Sequence, residues 1–343
     1  MRVLVTGASG MLGRATATGL LERGDEVTVL QRRPSGLPGA EVLGDVADPD
    51  VVGRAARGQD AVLHLAAKVD VTGPWAEYAH ANVAGTRAVL DACRAAGVGR
   101  LVHVSSPSVA HAGTALAGVG AGPADPARAR GRYSRSKAVA ELDALAADSS
   151  ALAVLAVRPH LVWGPGDTQL VGRVVDRARA GRLPVIGSGA ALIDTTYVDN
   201  AAAALVAAVD ACGPVHGEAL VVSNGEPRPV AEVIGRLCRA AGVPVPRRRV
   251  PFGAAYAVGA AVEGVWAVTG RRRVPPITRF LAEQLATAHW FDQRRTRTAL
   301  GWCPRVGLDE GFARLRAWYL DTAGPTVAGA DRPPRSSPAA PAP

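Results

Sequence analysis

The sequence is poor in lysine, cysteine and aromatic residues. Only Lys68 and Lys137 occur among its 343 residues, so a formal charge of +9 rests on arginine. The arginines are spread along the chain apart from triplets at Arg247–Arg249 and Arg271–Arg273, and no recognition motif accompanies them. Basic charge without such a motif excludes nucleic acid as the expected partner. Cys93, Cys212, Cys238 and Cys303 are widely separated, with no CxxC or Cys/His cluster. That spacing excludes a zinc framework and a disulfide scaffold, so no metal is expected and the setting is a reducing cytoplasm. Aromatics make up 4% of the chain; Ala, Val and Leu carry most of the 48% apolar share. Such small residues suit helices packed closely on a sheet. A leader is not expected either, because the strand pattern Arg2-Val3-Leu4-Val5-Thr6 meets glycine at once and leaves no apolar core for a signal peptide.

One long apolar stretch exists, Phe252 to Thr269, and Glu263 interrupts it. Its bare minimum length, its glycines and the arginines on both sides argue against a membrane span. Two readings stay open, a helix over an apolar substrate pocket and a helix lying on a membrane surface through its arginine flanks.

From residue 2 to about 160, β-branched runs alternate with Ala-rich helical stretches. Strands are expected at Val3–Thr6, Glu26–Leu30, Glu41–Leu43, Ala61–Leu65, Arg100–Val104 and Leu152–Val157, with helices near 11–23, 76–96 and 133–148. The alternation implies α/β architecture, a doubly wound parallel sheet of the Rossmann type, with a smaller interleaved C-terminal substrate lobe. Residues 1–165 are assigned to dinucleotide binding, the sheet being completed by parts of 190–225. Residues 166–322 form mainly the substrate lobe, with helices near 170–180, 230–241, 252–268, 277–286 and 308–320. The Pro/Ala/Ser/Arg tail 323–343 has too little buriable surface to offset its ordering entropy and is expected to be disordered.

Gly7-Ala8-Ser9-Gly10-Met11-Leu12-Gly13 follows the first strand directly and opens the first helix. Glycines there permit a tight turn and a close backbone approach, and a helix N-terminus stabilises a pyrophosphate. The second strand ends in Leu30-Gln31-Arg32-Arg33 where an acidic residue would select NAD(H). Two guanidinium groups suit a 2′-phosphate, so NADP(H) is favoured. Asp45, before Val46, is placed either on the adenine amino group or in a simple turn.

Tyr133 and Lys137 stand four residues apart at the start of an expected helix, on one face. Five tyrosines and two lysines in this length give about 0.03 such pairs by chance, so the spacing carries information. A nearby ammonium stabilises phenolate and brings a phenol into acid/base range. The fifth strand ends in Ser105-Ser106, at the sheet edge where open α/β folds bind ligands. A hydroxyl there can hold a carbonyl or alkoxide oxygen beside Tyr133. His64, His103 and His160, at strand ends, lack paired ligand spacing and are assigned to packing.

These segments, with His64-Leu65-Ala66-Ala67, Ala81-Asn82-Val83-Ala84-Gly85-Thr86, Arg158-Pro159 and Trp163-Gly164-Pro165-Gly166-Asp167, resemble the extended short-chain dehydrogenase/reductase superfamily over about residues 1–320. Ser223-Asn224-Gly225-Glu226-Pro227 and His289-Trp290-Phe291-Asp292 are similar to its 3β-hydroxysteroid dehydrogenase-like branch, and most closely to the bacterial olefin-biosynthesis members. The resemblance implies an NADP(H)-dependent enzyme interconverting a ketone and a secondary alcohol on a hydrophobic substrate, a 2-alkyl-3-oxoalkanoate or a 3-hydroxysteroid. It makes Tyr133 the acid/base, with Lys137 lowering its pKa and holding the nicotinamide ribose. Ser106 orients the substrate oxygen, with Ser105 as second choice, and Asn82 supports a proton relay. Gly7, Ser9, Gly10, Met11, Leu12, Gly13, Arg32, Arg33, Asp45, Val46, Leu65, Ala66 and Ala67 line the dinucleotide, and Pro159 and Leu161 lie along the nicotinamide amide. A homodimer, contact with olefin-pathway enzymes and peripheral membrane contact are the partner expectations. Sugar-nucleotide dehydratases of the family carry an acidic pair where this chain has Pro107-Ser108, which argues against elimination chemistry. A nucleotide-sugar epimerase is the alternative.

Overall fold

The computed structural model describes residues 1–69, 73–111, 113–269, 275 and 277–323. The Arg271–Arg273 triplet and the tail beyond 323 lie outside the described residues. Seven parallel strands form the main sheet: β1 (Arg2–Thr6), β2 (Glu26–Gln31), β3 (Ala40–Leu43), β4 (Ala61–His64), β5 (Arg100–Val104), β6 (Ala153–Pro159) and β7 (Glu218–Val222). Their spatial order is β7-β6-β5-β4-β1-β2-β3. The order reverses direction between β1 and β4, which opens a crevice at the carboxyl ends of those strands.

Both faces of the sheet are covered, which explains why its inner strands read as continuous apolar runs. Alternate residues of β1 serve opposite cores. Val3 and Val5 pack with Leu20 of α1 (Met11–Glu22), whereas Leu4 packs with Val52 of α2 (Pro49–Ala56) and Val89 of α3 (Gly85–Ala96). Ala144 of α4 (Gly131–Ala146) joins the second core, and Leu205 of α5 (Val198–Ala211) joins the first.

The second lobe has a sheet of four short strands, in the order Arg228–Pro229, Leu192–Ile193, His289–Phe291, Leu116–Val119. Leu116–Val119 reaches it from the segment between β5 and α4. The lobe's core stacks Trp163 on Phe312 with ring centroids 4.6 Å apart. Asn200 does not cap the helix after Tyr197. It lies inside α5 and binds Asn224 Oδ1 at 3.0 Å and the Val306 carbonyl at 2.7 Å.

Several local differences have plain causes. The helix expected over 76–96 is continuous in direction but not in winding: a short α turn at Trp75–Tyr78 passes through a π segment, Ala79–Ala84, before α3. Helix α2 is short, yet Asp48 caps it by accepting from the Asp50 and Val51 backbone N–H groups, and Pro49 occupies its first turn. No described helix is long and apolar enough to cross a membrane. The apolar stretch forms α6 (Phe252–Thr269), whose Ala260, Glu263, Gly264 and Trp266 line the main cleft.

Arg158 on β6 and Glu141 on α4 form a buried ion pair, with Nε of Arg158 2.8 Å from Glu141 Oε2 and Nη1 donating to the Gly122 carbonyl at 2.7 Å. Glu141→Leu leaves the guanidinium buried without its counter-charge and is expected to cost about 3–5 kcal/mol of unfolding free energy. Urea titration measures this, and adding Arg158→Met should restore most of it. A loss below about 1 kcal/mol would show that the guanidinium finds solvent instead.

Candidate functional site

A cleft of about 2230 Å³ runs along the carboxyl ends of the central strands. At one end the Gly7–Gly13 loop turns β1 into α1. Gly7 has φ +80°, and a Cβ there would stand 2.8 Å from the Ala66 backbone; at Gly13 it would stand 2.3 Å from the Gly7 carbonyl. Both glycines are thus demanded by the chain itself. Gly10 is different, since nothing lies closer than 3.7 Å to its would-be Cβ. It caps α1 without a side-chain bond, and the first turn of α1 holds no acidic residue. The first N–H groups of a helix have no intrahelical acceptor, and Ser9, Gly10, Met11, Leu12 and Gly13 line the cleft. This bare N-terminus fits a pyrophosphate.

Arg32, Asp45, Val46, Leu65, Ala66 and Ala67 also line the cleft. Arg33 is exposed and is not among the lining residues, so of the two expected phosphate partners only Arg32 is at hand. The Asp45 carboxylate accepts from the Ala47 N–H at 2.9 Å and lies 3.2 Å from His80 Nε2. Those contacts, and the charge of Arg32, hold its pKa below the usual value. Asp45 is therefore a turn residue in this structure whatever else it binds. Val46 packs beneath Gly85, where a Cβ would come within 2.8 Å of it.

Tyr133 lies in the first turn of α4, half-buried, and Lys137 lies one turn on. Burial pushes the phenol's pKa up, and the hydrogen bond from Ser106 counters it. The Lys137 ammonium donates to the Val104 carbonyl at 2.6 Å. Burial brings the lysine itself down to about 8, against the opposing pull of Glu141. Ser105 and Ser106 both line the cleft. Ser106 caps the turn Pro107–Ala110, with its Oγ 3.0 Å from Ser108 Oγ, and is the serine whose hydroxyl lowers the Tyr133 pKa. The buried Ser105 hydroxyl has no hydrogen-bond partner.

Asn82 sits in the π segment, where the wider winding turns its side chain onto the loop after β4. Its Oδ1 accepts from the Lys68 N–H at 2.6 Å, and Nδ2 donates to the Lys68 carbonyl at 3.1 Å and to Ser136 Oγ at 2.8 Å. Ser136 in turn donates to the Tyr133 carbonyl at 2.7 Å. Both amide protons are committed, so Asn82 ties the loop to α4. His64 is held between Thr6 Oγ1 and Thr86 Oγ1, at 2.8 and 3.0 Å, and burial lowers it to about 3. Pro159 and Leu161 line the cleft, and Leu161 has φ +42°, the one positive value outside glycine among the described residues. Such strain concentrates at ligand sites. Residues with no motif to announce them also reach the cleft, notably His111, Arg128 and Arg130.

The lysine offers a direct check. Its folded pKa lies below its ordinary one, so between about 8 and 10.5 the folded chain binds fewer protons there than the unfolded chain. Stability of the cofactor-free protein is expected to rise with pH across that window, by about 3 kcal/mol, relative to Lys137→Met. Parallel pH curves for the two proteins would show that the ammonium is solvated.

The family model for the NAD dependent epimerase/dehydratase family matches residues 3–223. A 2-alkyl-3-oxoalkanoate reductase of Stenotrophomonas maltophilia is 44% identical over 92% of this chain and 99% of its own length. A 3-beta-hydroxysteroid dehydrogenase of Mycolicibacterium neoaurum is 29% identical over 97% and 95%. Among solved structures, MoeE5 in complex with UDP-glucose and NAD superposes with a TM-score of 0.72 at 28% identity, covering 94% of this chain and all of that one. The chain is an enzyme with a nicotinamide-dinucleotide fold, and it belongs to the NAD-dependent epimerase/dehydratase family within the extended short-chain dehydrogenases/reductases.

Proposed function

We propose that the protein is an NADP(H)-dependent reductase of 2-alkyl-3-oxoalkanoates, forming the 3-hydroxy acid. The observation that carries this is the Tyr133 and Ser106 hydroxyl pair, set in a cleft to which Leu183, Ile234, Leu237, Trp266, Phe280 and Leu285 contribute apolar surface. The relatives that match most of the chain reduce or oxidise at such a carbon by their names.

Bound at the bare end of α1, the nicotinamide cofactor supplies the hydride. The chain's own residues manage the oxygen. Ser106 donates to it and fixes the carbonyl; Tyr133 gives its proton as the alkoxide forms, or takes it in reverse. Burial raises the phenol's pKa, so it rests as the neutral acid, the form a reduction needs. Lys137 secures the helix that presents the phenol and supplies positive charge behind it. Arg32 favours a 2′-phosphate, since its guanidinium lines the cleft beside the end of β2.

The epimerase alternative is served less well. A nucleotide-sugar leaves its diphosphate and hexose in the small lobe, where polar partners are needed; Gln169, Arg173, Arg177 and Arg279 line the cleft, but Ala260, Gly264, Trp266, Phe280 and Leu285 do so too and suit an alkyl chain rather than a hexose.

Tyr133→Phe is expected to lower turnover of a 2-alkyl-3-oxo acid by about 10²–10⁴-fold with cofactor affinity unchanged, read as nicotinamide absorbance and fluorescence. Full activity would remove the catalytic assignment. Arg32→Ala should raise the KM for NADPH by about tenfold or more and leave that for NADH alone; equal shifts would mean that the arginine does not touch the 2′ position.

A further inference from the structure

Behind the Pro107–Ala110 turn lies a second cavity of about 490 Å³, walled by Val109, Ala110, Val119, Ala121 and Val221 among others. It takes no residue from α6 or from the helix Arg279–Ala286 that α6 packs against. It shares Pro107, His111, Leu116, Arg128, Ala129 and Phe291 with the main cleft, so the two spaces adjoin along that wall. Pro107 follows Ser106 directly, which sets the junction beside the reacting oxygen. The main cleft has its own apolar end under α6. Two greasy compartments therefore meet near one polar centre, more than a single-chain substrate uses.

His111 stands at the junction. It is buried to 1% exposure, and neither ring nitrogen has a hydrogen-bond partner among the described residues. Burial lowers its pKa to about 4, so the ring is a neutral donor and acceptor. A buried polar group without a partner calls for a ligand or water. Arg128 adds a cation to the shared wall; nearby Asp125 is occupied by the Ala127 and Arg128 N–H groups.

In a 2-alkyl-3-oxo acid, C2 carries both the carboxylate and the alkyl branch, and C3 carries the ketone oxygen and the other chain. With the ketone oxygen at Ser106 and Tyr133, the carboxylate and the branch leave from the adjacent carbon together. We infer that the 2-alkyl branch enters the annex, the chain beyond C3 lies under α6, and His111 donates to the carboxylate at the branch point. This rests on the function proposed above. A methylene is close in volume to the ~30 Å³ of a water molecule, so the annex holds a branch of about ten to fifteen carbons.

The test uses the full-length enzyme and two 3-hydroxy acids, one with a long 2-alkyl branch and one unbranched at C2, each oxidised with the nicotinamide cofactor. Ala121→Phe and Ala110→Phe each fill the annex from its wall, and thermal melting with cofactor titration confirms that at least one is folded. The expected result is a fall of about a hundredfold in kcat/KM for the branched acid, with the unbranched acid within about threefold. His111→Leu should raise the KM of the branched acid by about tenfold and leave that of its methyl ester unchanged. Equal losses on both acids in the folded plug variants, or no loss on either, overturn the annex assignment while leaving the reductase intact. A His111→Leu shift shared by acid and ester overturns the carboxylate contact. If the unaltered enzyme turns over neither acid, the proposed function fails as well.

Discussion

The buried ammonium of Lys137 is the constraint from which the site's geometry follows. A charge taken out of water is costly unless paired and hydrogen-bonded, and here the Val104 carbonyl at the end of β5 receives it at 2.6 Å. That bond pins α4 to the strand end. Tyr133, one turn earlier on the same face, is thereby brought over Ser106, two residues beyond β5. Continuing the stripe by one further turn reaches Glu141, which favours the charged lysine and pairs with Arg158 on β6. Arg158 then holds the Gly122 carbonyl, in the wall of the annex. A single helical face thus links the acid/base, its cation, a buried ion pair and the loop that shapes the second cavity.

The electrostatics of that stripe are arranged against free charge. Burial raises the phenol and lowers the lysine, so each is pushed toward its neutral form. His64 and His103 lie close enough to Lys137 for its charge to lower them further, and burial keeps both neutral. The ammonium consequently has no competing cation at its side. What it lacks in this geometry is a direct hold on the phenol, whose only opposing influence on the burial shift is Ser106. A phenol set in this way is better suited to giving a proton than to resting as phenolate, and that agrees with reduction as the working direction.

The parts of the molecule legible in the sequence were those fixed by local rules. The strands of the main sheet are continuous apolar runs because both faces are covered, and they lie within a residue or two of their expected bounds. Gly7 and Gly13 could be read because backbone contacts forbid a side chain at either. The Tyr133 and Lys137 pair could be read because helical spacing alone makes them neighbours. Other features depend on contacts distant in sequence. The π winding around Asn82 follows from its bonds to Lys68 and Ser136, which no periodicity encodes. Strands of two residues, such as Leu192–Ile193, have no pattern to show. His111 belongs to no motif, and its place comes from a wall that Pro107, Leu116, Gly122, Arg158, Val221 and Phe291 help to build. Arg33 carried the same motif signal as Arg32; both are exposed, and only Arg32 lines the cleft.

Specificity in this family fold is decided away from the dinucleotide. The glycine loop, the Tyr133 and Lys137 pair and the sheet edge serve a sugar epimerase and a ketone reductase equally, so none of them can separate the two. The separation lies in what surrounds the reacting oxygen. A hexose with a diphosphate needs several fixed polar partners, because each unpaired hydroxyl taken from water costs free energy. An alkyl chain needs only area removed from water, about 25 cal/mol per Å². Beside Ser106 the annex is walled mostly by apolar residues, with His111 at its junction, while the main cleft mixes aliphatic and aromatic residues with Gln169, Arg173, Arg177 and Arg279. What tells a branched acid from a sugar is then the annex itself, whose mostly apolar wall gives an alkyl branch area to take from water and a hexose few groups to bond.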